Sequence, residues 1–378
     1  KTNRQQLGDA GDALADELNT AWTGAVAQQA KAAAEKADPR LLQNAAADAA
    51  LLLGRMPESA QGRESLAAAA QAPAPTGPMP NPPRTSDGRP DLQGFWSNQS
   101  VTTLTRSANI PKVVLTPEEA RELESKFTWN VNEASQRGLV DVSKPPPGGQ
   151  GAQFATTGYN SFWLDHGRRY ATVKGEIRSS WLTDPPSGRL PTRPEAQRAQ
   201  NAGGYGTFDG PETRPLAERC LVSFSRSAGP VMQNSLYNNN YQIVQAKDHV
   251  LINVEMNHDA RVIPLVKSKA DAKHGPDAIH PWFGDSVGWY EGDTLVVETV
   301  NVTSKQRAQM SPKGKLTERF TRWSEDQILY EFAVDDPEFY TATWKGEMSL
   351  NRSQEPLYEY ACHEGNYALH GILAGARV

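Results

Sequence analysis

The chain has 378 residues, 38% hydrophobic and 22% charged, with a net charge of −5. Such a length predicts two domains, or one large domain with an appendage, and leaves room for a sizeable core. Its longest apolar runs, such as Ala49–Leu53, fall far short of the roughly 20 residues a membrane-spanning helix needs, and the acidic balance argues against a nucleic-acid partner.

Residues 1–72 are rich in Ala, Leu, Gln and Glu, all good helix formers. A long helix is expected over Gln5–Lys36, a second over Pro39–Leu53, and a short third over Arg63–Ala70. They read as an arm or small bundle, a place for self-association rather than chemistry. The run from 73 to 90 is dense in proline and reads as an extended linker. The domain that carries function is expected over 91–378.

In that domain helix signals are few. Thr116-Pro117-Glu118-Glu119 is a capping box opening a helix to Phe127, and another helix is expected over Arg193–Gln200. Elsewhere the pattern is strand and turn. Asp91–Trp96 reads as an opening strand, and Val250, Ile252, Val254 and Met256 alternate with less apolar neighbours. Val287–Asn301 reads as a hairpin, and Leu316–Trp323 with Ile328–Val334 as another; Phe339–Asn351 and Leu357–Cys362 follow as strands. Consecutive short strands predict an antiparallel meander, closed as a lipocalin-like barrel or stacked as a sandwich, and the barrel is preferred. Glu255, Glu298, Glu318, Arg319, Glu331, Glu347 and Glu359 fall inside expected strands. They face water in a sandwich; in a barrel some line a polar lumen.

The two cysteines, Cys220 and Cys362, allow one bridge. Closing so long a loop would stabilise by ~4–5 kcal/mol in the chain-entropy model. Two buried thiols are the alternative, and the bridge is preferred. A start at Lys1 rather than Met fits a processed or a shortened chain. With the bridge, it points to an oxidising, periplasmic or secreted location.

Three passages carry a likeness to other proteins: Glu255-Met256-Asn257-His258-Asp259-Ala260-Arg261, the run Gly284–Thr299, and Tyr358–Tyr367. They resemble a large family of exported bacterial proteins that open on a segment like Asp91–Trp96. The resemblance spans roughly Pro90 to Val378. It implies export and carries over no catalytic residue.

The chain has no GxSxG, HExxH, phosphate-binding loop or EF-hand. Candidate chemistry therefore rests on four polar clusters. His258 and Asp259, with Arg261, end a strand, where histidine transfers protons and the neighbouring carboxylate orients it; a turn with Asp259 capping the backbone and Arg261 in an ion pair is the structural alternative. His280 and Trp282 lie with Asp285 in a loop. His363, Glu364 and Tyr367 follow Cys362, and a bridge there would hold them rigid as an acid–base shelf. Tyr237, Asn238, Asn239 and Asn240 offer amides and a phenol for substrate oxygens, as do Asn160 and Trp163. His363 or His258 is the expected base, with Glu364, Tyr367 or Asp259 as partner and His280 nearby; Asn239, Asn240, Arg261, Tyr237, Trp282, Trp163 and Asn160 are expected to bind substrate. No cofactor is expected. A divalent metal on His258, Asp259, His280, Asp285, His363 or Glu364 is the alternative, although no pair has a diagnostic spacing. The sequence thus predicts an exported enzyme that hydrolyses or eliminates from a polyhydroxylated or aromatic small molecule or glycan. A non-catalytic lipocalin-like binder, with Trp163, Trp282, Trp289 and Trp344 lining its cavity, is the alternative.

Overall fold

In the computed structural model the chain divides into two compact units, Lys1–Thr76 and Gly77–Val378. The structure describes residues 77–131, 164–196, 207–223, 227–229, 231–304 and 310–377, all in the second unit. The helices expected over 1–72, and Asn160 and Trp163, lie outside the described residues; the helix expected over Arg193–Gln200 is described only as far as residue 196.

The second unit is mainly antiparallel β. Nine strands form a nearly closed barrel: β1 (Gly94–Ser97), β6 (Asn240–Gln245), β7 (His249–Val254), β8 (Ala260–Pro264), β9 (Asp285–Glu291), β10 (Thr294–Val300), β11 (Lys315–Ser324), β12 (Gln327–Asp335) and β13 (Trp344–Arg352). Between β1 and β6 the chain forms β2 (Val114–Leu115), the helix α1 (Pro117–Lys126), β3 (Thr172–Val173), β4 (Glu176–Arg178) and β5 (Leu182–Asp184). β2, β4 and β3 make a small separate sheet, and β5 pairs with β13. α1 starts where the sequence places it, with the reciprocal bonds of the Thr116/Glu119 capping box.

An odd number of strands cannot close with every neighbour antiparallel. The ladder runs antiparallel from β8 through β7, β6, β1, β13, β12, β11 and β10 to β9, so β8 and β9 must point the same way. A parallel neighbour needs a crossover, and residues 265–284 supply it. The two strands are joined by one parallel bridge, Leu265 with Gly288, where Val266 N–H donates to Gly288 O at 2.8 Å. This is the seam of the barrel.

Alternation decides what faces inward. The register places Tyr241, Ile243, Ile252, Val254, Phe320, Tyr330, Phe332, Trp344 and Met348 on the inner face, and all are nearly or fully buried. Phe320 stacks on Tyr330 at 4.9 Å, and Phe332 meets Trp344 edge-on at 6.0 Å. Residues 227–229 and 231–232 also enter the interior: Tyr241 Oη donates to Ser227 O at 3.1 Å, and Met232 N–H donates to Tyr330 Oη at 3.2 Å. The lumen is a packed core, so Trp344 is a core residue rather than the wall of a ligand cavity.

The two ends of the barrel differ. At one end lie the tight turns at 246–248, 292–293 and 325–326. Residues 79–93, from the stretch read as a linker and the start of the expected opening strand, which begins only at Gly94, cross this end: Arg84 pairs with Asp293 at 2.7 Å, Arg89 donates to Ala246 O at 3.2 Å, and Arg322 donates to Asp91 O at 3.0 Å. At the other end, where β1 ends and β6 begins, the long connections gather. After β13 the chain climbs the outer wall towards that end. Ser353 N–H donates to Phe95 O and Tyr360 N–H to His258 Nε2, and Cys362 bonds to Cys220, 142 residues away in sequence. The strand expected over Leu357–Cys362 is therefore an irregular strap, tied by scattered contacts instead of a ladder; the strand expected from Phe339 begins at Trp344. The chain then forms α2 (Tyr367–Gly375).

Candidate functional site

Between the long-loop rim and the C-terminal strap lies a cleft of about 710 Å3. Gln99, Asp165, Tyr237, Asn238, Asn240 and Glu255 line the barrel side, and Ser353, Glu355, Pro356 and Tyr358 line the strap side. The size suits a sugar or an aryl compound.

The Asn run behind the cleft divides its labour. Asn238 takes a positive φ of 55°, a conformation asparagine tolerates, and turns the chain. Asn239 is fully buried: its Nδ2 donates to Asp165 O at 2.9 Å and Ser235 O at 3.0 Å, and its Oδ1 accepts from Ser235 N–H at 2.6 Å. Asn240 has the opposite parity to inward Tyr241. It reaches the outer side and donates to Glu255 Oε2 at 2.7 Å. Asp165 accepts from Gln99 Nε2 at 2.5 Å and from Asn239 N–H at 3.4 Å.

Two carboxylates thus share one partly desolvated cleft. Burial raises the Asp165 carboxyl above its ordinary range, against the hydrogen bonds from Asn239 and Gln99. Burial also raises Glu255, against the hydrogen bonds from Asn240 and the Tyr358 amide, and the charge of Asp165 adds to the rise. Such a pair is suited to giving and taking protons nearer neutral pH than exposed carboxylates are. Neither residue was prominent in the sequence. Asp165 is close to the Tyr159–Trp163 passage and Glu255 heads the Asn257–Arg261 cluster, but nothing local signals that residues so far apart share one cleft.

The sequence-predicted residues are partly gathered and partly scattered. Asp259, His258 and the bridge form one cluster. Asn257 and His258 take positive φ angles of 62° and 50°, turning Asp259 inward, where its Oδ2 accepts Ser223 N–H at 2.8 Å. Burial raises the Asp259 carboxyl. His258 faces out and accepts the Tyr360 amide on Nε2 at 3.1 Å, so the proton of its neutral ring sits on Nδ1. Asn366, beside His363 and Glu364, donates to Glu218 O at 2.7 Å and anchors the strap next to the bridge. His363, Glu364 and Tyr367 are exposed, Tyr367 at 84%. His280 and Trp282 are exposed on the crossover after β8. Arg261, expected to hold substrate, lies inside the barrel at 3% exposure with its guanidinium on Glu318, out of reach of a ligand in the cleft. Asn239 is likewise enclosed, whereas Asn240 and Tyr237 line the cleft.

His274, less distinctive in sequence, sits between Asp285 at 3.3 Å and Glu298 at 3.4 Å, holding the crossover to β9 and β10. Among the described residues no group of three or more His, Cys, Asp and Glu is arranged to hold a metal ion. Nor is any described helix long and apolar enough to cross a membrane. No family model matches the chain, and no curated protein matches it.

Proposed function

We propose that the chain is an exported hydrolase acting in the rim cleft on a polyhydroxylated or aromatic small molecule, with Glu255 as general acid and Asp165 as general base. One observation carries this reading: two partly buried carboxylates, both raised by desolvation, line one cleft with Tyr237, Tyr358 and the amides of Gln99, Asn238 and Asn240. In the step proposed, protonated Glu255 gives its proton to the leaving oxygen as the C–O bond breaks. Asp165 takes a proton from the water that forms the new C–O bond, and solvent restores both groups. The amides hold hydroxyls and the tyrosine rings stack on the substrate. The Cys220–Cys362 bridge supports an oxidising location, as does the resemblance to exported bacterial proteins.

A binding protein without turnover is the second reading. It is favoured by Asp165 already accepting hydrogen bonds from Gln99 and Asn239, as a positioning group would. Mass spectrometry of oligosaccharides, aryl glycosides and aryl esters incubated with the protein separates the two. Products heavier by one water, lost in Glu255→Gln and Asp165→Asn, support the hydrolase. An unsaturated fragment replaces hydrolysis by elimination, and unchanged compounds that co-purify with the chain favour the binder.

A further inference from the structure

Buried Asp259 and Asp336 are met by hydrogen bonds, and three carboxylates of the strands are paired with cations. Glu318 has Arg261, Glu347 has Arg178 and Lys174, and Glu298 has Lys315 and His274. The cleft gathers carboxylates without a cation. Asp165, Glu255 and Glu355 all line it; among the described residues no Lys, Arg or His does, and none of the three is ion-paired. Glu255 is only 6% exposed and already accepts from Asn240 Nδ2 at 2.7 Å, which leaves Asp165 and Glu355 to meet a cation. The cavity also presents two tyrosines, Tyr237 and Tyr358, and Tyr358 is 64% exposed, leaving an aromatic face for a ligand. Carboxylates recognise an ammonium by charge, and tyrosine rings recognise it by cation–π attraction; a metal ion gains little from the rings. The amides of Gln99, Asn238 and Asn240 add hydroxyl recognition.

We propose that the cleft binds a polyhydroxylated molecule bearing an ammonium group, an amino sugar being the simplest. Asp165 and Glu355 supply the charge, Tyr358 the aromatic face, and the amides the hydroxyl contacts. The inference rests on the same cleft as the hydrolase reading but not on its catalysis.

The test is calorimetric titration of the full chain, at a pH where the amine is protonated, with glucosamine, glucose and N-acetylglucosamine. Glucosamine is expected to bind about tenfold tighter than either neutral sugar. Glu355→Gln and Tyr358→Ala alter exposed strap positions, and circular dichroism checks that both variants remain folded. Glu355→Gln is expected to lose several-fold in glucosamine affinity with little change for glucose, and Tyr358→Ala to weaken glucosamine several-fold more than glucose. Equal binding of the three sugars, or no glucosamine binding, overturns the proposal. So does displacement of glucosamine by calcium chloride together with indifference to Tyr358→Ala, which marks a metal site. Glucosamine preference without hydrolysis of any amino-sugar glycoside sinks the hydrolase reading alone. Hydrolysis of neutral glycosides without glucosamine preference sinks this proposal alone.

Discussion

Arg261 on β8 and Glu318 on β11 meet inside the barrel, Nη1 to Oε1 at 2.9 Å, reaching past the two strands that separate them. The contact lies behind the seam where β8 and β9 share only one bridge. Side chains therefore join the parts of the wall that backbone hydrogen bonds leave apart. Tyr330 Oη donates to the same Glu318 oxygen at 2.7 Å, and burial with the carboxylate's charge pushes its phenol well up. Thr299 and Ser286, linked at 2.8 Å, extend the polar layer across β10 and β9.

Removing one member of this pair leaves a charge stranded in the core. Arg261→Met is expected to destabilise by about 3–5 kcal/mol, as is Glu318→Leu alone, whereas the double variant recovers most of the loss because neither charge remains. Urea unfolding of the three variants measures it. A double variant as unstable as the worse single one would mean that packing of the seam, not the stranded charge, sets the cost.

Stability and pH are linked through the cleft. The folded chain holds protons on Asp165 and Glu255 more tightly than the unfolded chain does, because burial raises both. Their contribution to stability is fully present below the unfolded carboxylate range and is lost as pH rises through their raised folded range. Glu255→Gln removes its share of that loss. The variant is expected to melt about 2 °C higher at neutral pH, with no gain in acid, while hydrolysis disappears. Wild-type turnover is expected to fall as pH rises through the Glu255 titration, since the proton donor is then spent. A melting gain equal in acid and at neutral pH would remove desolvation as its cause.

Strand alternation made most of the wall readable from sequence. Ile328, Tyr330, Phe332 and Val334 announce an inner face, and Gly292-Asp293 announces the turn joining β9 to β10. The cleft was not readable, because it depends on contacts between residues far apart in the chain: Asp165 meets Asn239 and Gln99, and the strap wall comes from beyond β13. Arg261 illustrates the same limit. Its charge suggested a ligand, yet parity turns it inward and Glu318, far along the chain, satisfies it. The strap failed as a strand for a further reason. Tyr358 and Tyr360 alternate like a strand, but Tyr360 N–H spends its hydrogen bond on His258.

The bridge fixes the strap that walls the cleft. Cys220→Ser/Cys362→Ser is expected to lower stability by up to about 4–5 kcal/mol, the chain-entropy limit for so long a loop. Because the strap is tied by scattered hydrogen bonds, such as Tyr360 N–H to His258 and Asn366 to Glu218, instead of a ladder, limited proteolysis is expected to cut near 353–366 before the barrel is attacked. Wild-type protein treated with dithiothreitol should behave alike. Cleavage starting in the barrel strands instead would show that the strap is held without the bridge.

Gly346 offers the sharpest test of the packed lumen. It faces inward on β13 opposite Phe332, where an added Cβ would stand 2.4 Å from the ring's Cζ and 2.8 Å from Trp181 O. A methyl group there must push the ring into Tyr330 and Trp344, both of which already touch it. Gly346→Ala is expected to cost about 1–3 kcal/mol, the usual range for overpacking a close-packed core. Adding Phe332→Leu makes room on one side only, because the Trp181 carbonyl accepts Glu347 N–H of β13 at 3.0 Å and is held by backbone. The double variant should therefore recover part of the lost urea-midpoint stability and not all of it. Full tolerance of Gly346→Ala alone would show space inside the barrel and would return the lumen to contention as a ligand cavity.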